Sequence, residues 1–151
     1  MRIVSLVPAA TEPLAALGLS PSIVGVTHEC GTLVDVRAQV LTRSRLPTAG
    51  TSSVIDGAVR NAAAAKSDLH VLDGDALAAL RPDVVVVPSD PPEGRSPCLI
   101  SFYDIRRTTS LLQPAPRLVA WGGSSLQEIL GSLRALGEAT ERGQEGARLA
   151  A

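Results

Sequence analysis

A chain of 151 residues, 45% of them apolar, has room for one hydrophobic core and excludes a second full domain. With 14 basic against 15 acidic residues, a net charge of −1 and no basic block interleaved with aromatics, it lacks the electrostatic footprint of a nucleic-acid binder. Aromatic residues are only 2% of the chain, so its core is to be built from Val, Leu, Ile and Ala, the material of parallel strands buried on both faces.

In chain order, residues 3–7 read as a buried strand, and Thr11 as the cap of a helix over residues 12–17, with Pro13 in its first turn and Gly18 ending it. Residues 23–26 make the next strand. The pattern weakens from Gly31 to Gly50, where a short strand over residues 40–42 is followed by a loop rich in Arg, Ser and Thr. Residues 54–65 have helical spacing, 69–72 read as a strand, 74–80 as a short helix stopped by Pro82, and 84–87 as the most apolar strand. Pro88, Pro91, Pro92, Gly94 and Pro97 make a loop, with a helix expected over 98–112 and a strand over 118–121. Ser124 and Ser125 precede Gln127 and Glu128 at capping-box spacing. They open a long amphipathic helix with Leu126, Ile129, Leu130, Leu133 and Leu136 at core spacing. Beyond about Glu141 the composition turns polar and the end is expected to fray.

This alternation predicts an α/β fold with a mainly parallel sheet flanked by helices: a lobe over 1–122, a long connecting helix over 123–142 and a tail over 143–151. No apolar run approaches the roughly 20 residues of a membrane span, and no leader precedes the first strand. The chain as given is therefore expected to be cytoplasmic, or periplasmic or extracellular only if a leader has been removed. Cys30 and Cys98 are expected as a reduced pair, too few for a disulfide framework.

Ligands of parallel α/β sheets bind beyond the carboxyl ends of the strands. Those ends carry Pro8, Ala9, Thr11 and Glu12, then Thr27, His28, Glu29 and Cys30, then Arg43, then Ser89 and Asp90, and finally Trp121. Imidazole and thiolate suit cobalt, zinc or iron, which makes His28 and Cys30 candidate metal ligands, with Cys98 approaching from a neighbouring strand end. Strand alternation lets His28 and Cys30 share a face and excludes Glu29 from it unless the loop turns. Each candidate has a plainer role beside the functional one: Thr11 as a helix cap, the cysteines as small buried hydrophobes, His28 as an imidazole tied to a loop, Trp121 as core, and His70 as a structural residue. Arg43 and Arg45 suit a carboxylate or phosphate, or are solvated. There is no nucleophile elbow, G-x-G-x-x-G, Walker loop or paired-carboxylate scaffold, so the chain reads as a non-enzyme.

The sequence resembles the cobalamin-binding-protein family of ABC-transporter solute-binding proteins, whose two α/β lobes are joined by one long backbone helix. The similarity is carried by R-I-V-S-L-x-P-x-A-T-E from Arg2 to Glu12, A-L-G-L from Ala16, V-G-V-T-H-E-C from Val24 to Cys30 and T-R-S-R-L from Thr42. It continues in S-S-x-I-D from Ser52, L-x-x-L-R-P-D from Leu77 and S-L-x-E-I-L from Ser125. It implies one lobe plus the connector, cobalamin or another corrinoid or metal chelate as ligand, weaker binding without the second lobe, and a permease as a partner. Asp75 lies close to where transporter-dependent relatives place a glutamate that docks onto permease arginines, though a solvated helix-start acid is the preferred explanation. The chain departs from the family at Gly31 to Val34, where relatives carry D-Y-P-P, and in the Pro-rich loop, where Arg95 stands at the first cysteine of their C-x-V-C and Cys98 keeps the second. Two rival readings are a scaffold that homodimerises through the exposed face of the long helix, and a redox or metal-handling enzyme using Cys30 and Cys98.

Overall fold

Valine runs and short apolar segments set the frame of the molecule. The computed structural model describes residues 1–30, 38–47, 49–65, 67–89, 100 and 102–151. The strands are β1 (Ile3–Ser5), β2 (Ile23–Val26), β3 (Gln39–Val40), β4 (Thr42–Ser44), β5 (His70–Leu72), β6 (Val84–Pro88) and β7 (Arg117–Trp121). The helices are α1 (Pro8–Ala16), α2 (Ser52–Ala64), α3 (Gly74–Leu80), α4 (Phe102–Ser110), α5 (Leu126–Ala139) and α6 (Gly143–Leu149), with a 3-10 turn at Ser20–Ser22.

Five strands form one parallel sheet in the order β3-β2-β1-β6-β7, as the alternation of strands and helices predicts. Its two faces are filled by alternate residues of the same strands. Val84 and Val86 join Ile3, Ala10, Leu14, Trp121 and Leu136 under α1 and α5. Val85 and Val87 join Val4, Leu41, Leu77 and Ile105 under α3 and α4. The chain leaves β1 towards β2 and β3, then crosses back to β6 and β7. The carboxyl ends of β1 and β6 therefore flank the switch point of the sheet.

Three expectations are corrected. First, Thr11 does not cap α1. The helix begins three residues earlier at Pro8, whose fixed φ suits a first helical position, after an extended Val7 that offers no side-chain cap. Second, the strand expected at 69–72 does not enter the main sheet. It is β5, antiparallel to β4 in a separate two-stranded sheet that pairs Thr42 with Leu72 and Ser44 with His70. Third, the tail does not fray: residues 143–149 form α6, which packs on α5. Gly137 and Gly146 permit this contact. A Cβ on Gly137 would meet Arg142 O at 2.7 Å and Gly146 Cα at 2.9 Å.

The capping box at α5 is present as read. Ser125 Oγ accepts from the Glu128 N–H at 3.3 Å, and Glu128 Oε2 accepts from the Ser125 N–H at 3.2 Å. The apolar stripe of α5 is narrower than its spacing implies. Leu136 is fully buried but Leu126, in the first turn, is 73% exposed, and the buried Ser132 instead ties α5 to β7 by donating to Gly122 O at 2.9 Å.

Candidate functional site at the strand ends

At the switch point, β1 runs directly into α1. Pro8 is half-buried and Ala9 exposed in the first turn, while Thr11 points into the core and Glu12 faces solvent. Across the switch, Ser89 follows β6 half-buried, its N–H donating to Trp121 O at 2.9 Å. Trp121 is 6% exposed and packs with Leu136 and Val119, so its ring belongs to the core and does not wall a cleft. Asp90 and Cys98 lie outside the described residues, as do Gly31 to Val34 and Arg95.

The end of β2 folds into a tight turn: the Cys30 N–H donates to Thr27 O at 3.1 Å, and Thr27 Oγ1 accepts from the Glu29 N–H at 3.3 Å. That turn separates the residues the sequence placed together. Cys30 is fully buried, its thiol 3.1 Å from Thr27 Oγ1 and 3.2 Å from Thr11 Oγ1, and it sits among the apolar residues beneath α1. Thr11 Oγ1 also meets Ser5 Oγ at 2.9 Å. The result is a chain of four buried groups, Ser5, Thr11, Cys30 and Thr27, that satisfy one another.

His28 goes elsewhere. Its backbone N–H donates to Thr42 Oγ1 at 3.0 Å and its Nδ1 lies 2.7 Å from the same oxygen, so β4 holds both the main chain and the ring. The expected His28–Cys30 metal pair is therefore not formed: strand alternation stops at Val26, and the turn sends the thiol inward and the imidazole towards β4. Glu29 is exposed at the tip of the turn. Among the described residues no group of three or more His, Cys, Asp and Glu side chains is placed to hold a metal ion.

Beside this turn lies an open cleft of about 500 Å³, lined by Val40 to Arg43 on one side and Val71 to Asp75 on the other. Arg43, exposed on β4, and Asp73 and Asp75 at the start of α3 put both charge signs on its walls. Asp73 is also the cap of α3, its Oδ1 accepting from the Ala76 N–H at 2.9 Å. Sequence reasoning missed two roles here. Thr42 counts among the strand-end residues in the sequence, but its hold on His28 is not legible there. His70, taken as structural, has its ring 5.1 Å from that of His28. The signal available was the alternation Thr42, Ser44 on β4, which faces Leu72 and His70 once the two strands pair.

No protein-family model matches the chain, and no curated protein does. Solved structures do. The periplasmic heme-binding protein RhuT from Roseiflexus sp. RS-1 superimposes with a TM-score of 0.61 at 22% identity, over 99% of this chain and 44% of that one. The periplasmic heme-binding protein BhuT, solved with two hemes, gives 0.63 at 16% identity over 98% and 44%. The periplasmic vitamin B12-binding protein BtuF of Vibrio cholerae gives 0.59 at 20% over 99% and 46%. Those proteins are periplasmic; in this chain no helix among the described residues is long and apolar enough to cross a membrane. The chain thus has the α/β fold of the periplasmic heme- and vitamin B12-binding proteins, over a little less than half of their length.

Proposed function

We propose that this chain is a non-catalytic binding lobe for a metal chelate, a corrinoid foremost, held at the strand ends around Pro8, Ala9, His28, Glu29 and Ser89. Supporting this reading is the placement of these exposed or half-buried groups at the carboxyl ends of β1, β2 and β6, on both sides of the switch point of a fold shared with heme- and vitamin B12-binding proteins. Thr11, Cys30 and Trp121 serve it indirectly, by holding α1 and β7 in place. A permease is the partner such a lobe would serve once paired with a second lobe.

One lobe alone binds weakly. A nanomolar clamp corresponds to about −12 kcal/mol, so half of its contacts leave about −6 kcal/mol, a Kd on the order of tens of micromolar. Titration with aquacobalamin and with hemin, followed by their absorbance bands, tests this. A saturable shift in that range for either chelate, weakened in His28→Ala, is the expected result; no shift at millimolar chelate refutes the reading.

A second reading is a scaffold that pairs with its own copy through α5, favoured by the 73% exposure of Leu126 in the first turn of that helix. Sedimentation that shows a strict monomer at high concentration would sink it.

A further inference from the structure

The chain contains only two histidines, 42 positions apart in sequence, and the fold brings their rings to a centroid separation of 5.1 Å with the planes tilted by 42°. His28 arrives from the turn after β2 and His70 from the first position of β5, so neither local sequence nor a shared element explains their meeting. Each is prepared differently. The His28 ring is fixed through Nδ1 by Thr42 Oγ1 at 2.7 Å, an outer hydrogen bond of the kind that orients a ligating imidazole through its other nitrogen. His70 Nδ1 is buried and has no hydrogen-bond partner among the described residues, an unsatisfied polar atom that native structures seldom leave without a reason.

We propose that His28 and His70 form a two-nitrogen site for a borderline divalent cation, zinc foremost. Metal–nitrogen bonds of about 2.0–2.1 Å at a tetrahedral angle place two imidazole centroids about 5 Å apart, the separation seen here. The tilt matches no parallel ring stack, and the unpartnered Nδ1 gains a partner when a cation arrives. Two coordination positions remain for water or an outside donor, the open arrangement of a site that exchanges its ligands.

The test uses the untagged full chain and Zn²⁺ alone. Because the two imidazoles are the only ones in the protein, their Hε1 and Hδ2 proton resonances report on this pair and nothing else. Zinc is expected to shift the resonances of both rings together, saturating at one ion per chain. His28→Ala and His70→Ala, each checked for folding by circular dichroism, should each weaken zinc binding at least tenfold by calorimetry. Movement of one ring only, or of neither, overturns the proposal in the wild-type chain, with no variant needed. Zinc binding that survives both substitutions but disappears in Cys98→Ser would overturn it too, by assigning the ion to a thiol.

Discussion

Thr11 decides between a ligand contact and a structural hydroxyl, and Thr11→Val separates the two because it keeps the shape and removes only the oxygen. In the folded chain Thr11 Oγ1 lies 2.9 Å from Ser5 Oγ, 3.2 Å from Cys30 Sγ and 3.4 Å from Val7 O, fully buried. After the substitution Ser5 can still donate to Val7 O at 3.2 Å, and Cys30 keeps Thr27 at 3.1 Å, so no group is wholly stranded. The cost is then the net worth of three neutral hydrogen bonds, of which the one to sulfur and the long one to Val7 O are weak, about 2 kcal/mol together. For a chain of this size that corresponds to a fall in Tm of about 4–8 °C. Calorimetry or thermal circular dichroism measures it, and aquacobalamin titration of the same variant below its transition should be unchanged. A Tm within a degree of wild type would refute the buried-network account. Unchanged Tm with lost chelate binding would go further, returning Thr11 to the ligand surface. A cycle with Cys30→Ala should show a coupling of about 0.5–1 kcal/mol between the two sites.

Gly137→Ala drives a Cβ into the Arg142 carbonyl and Gly146 Cα, backbone atoms that cannot rotate away. It should cost about 1–3 kcal/mol in denaturant unfolding and speed tryptic cleavage at Arg142 and Arg148, whereas cleavage at the wild-type rate would mean that α6 is not held by this contact. Glu128, exposed at the start of α5, has its carboxyl held below the usual range by the Ser124 N–H and hydroxyl and the Ser125 N–H. A lowered folded-state value means the stabilisation is present above the unfolded value and lost as pH falls through the folded one. The Tm difference between wild type and Glu128→Gln should therefore be constant near neutral pH and shrink below about pH 4; a difference that grows on acidification contradicts the cap. Asp73→Ala removes the only side-chain cap of α3 and should destabilise by about 0.5–2 kcal/mol, read from urea midpoints. Leu126→Ser should leave Tm within about a degree, since surface changes seldom exceed about 0.5 kcal/mol, but would dissociate a dimer built on α5.

The elements legible in the sequence are those whose cause is local. A continuous run of four valines between Pro82 and Pro88 determined β6 as a strand buried on both faces, and the spacing of Ser125 and Glu128 determined where α5 begins, because both depend on neighbours within a few residues. The α/β class and the parallel sheet followed from the order of such elements. The candidate site was legible only as a set of strand ends. Which of its side chains face solvent was decided by contacts that sequence distance hides. Thr11 looked like a cap until Pro8 was seen to start the helix, and the residues after Val26 obeyed strand alternation only until the Thr27–Cys30 turn closed. Helix α6, at seven residues, is too short to be stable by its own hydrogen bonds, so the polar tail becomes a helix only where Gly137 and Gly146 let it press against α5. The meeting of His28 and His70 is the extreme case: it needs β4 to pair antiparallel with β5 and Thr42 to catch the β2 turn, and only the assembled tertiary structure supplies both.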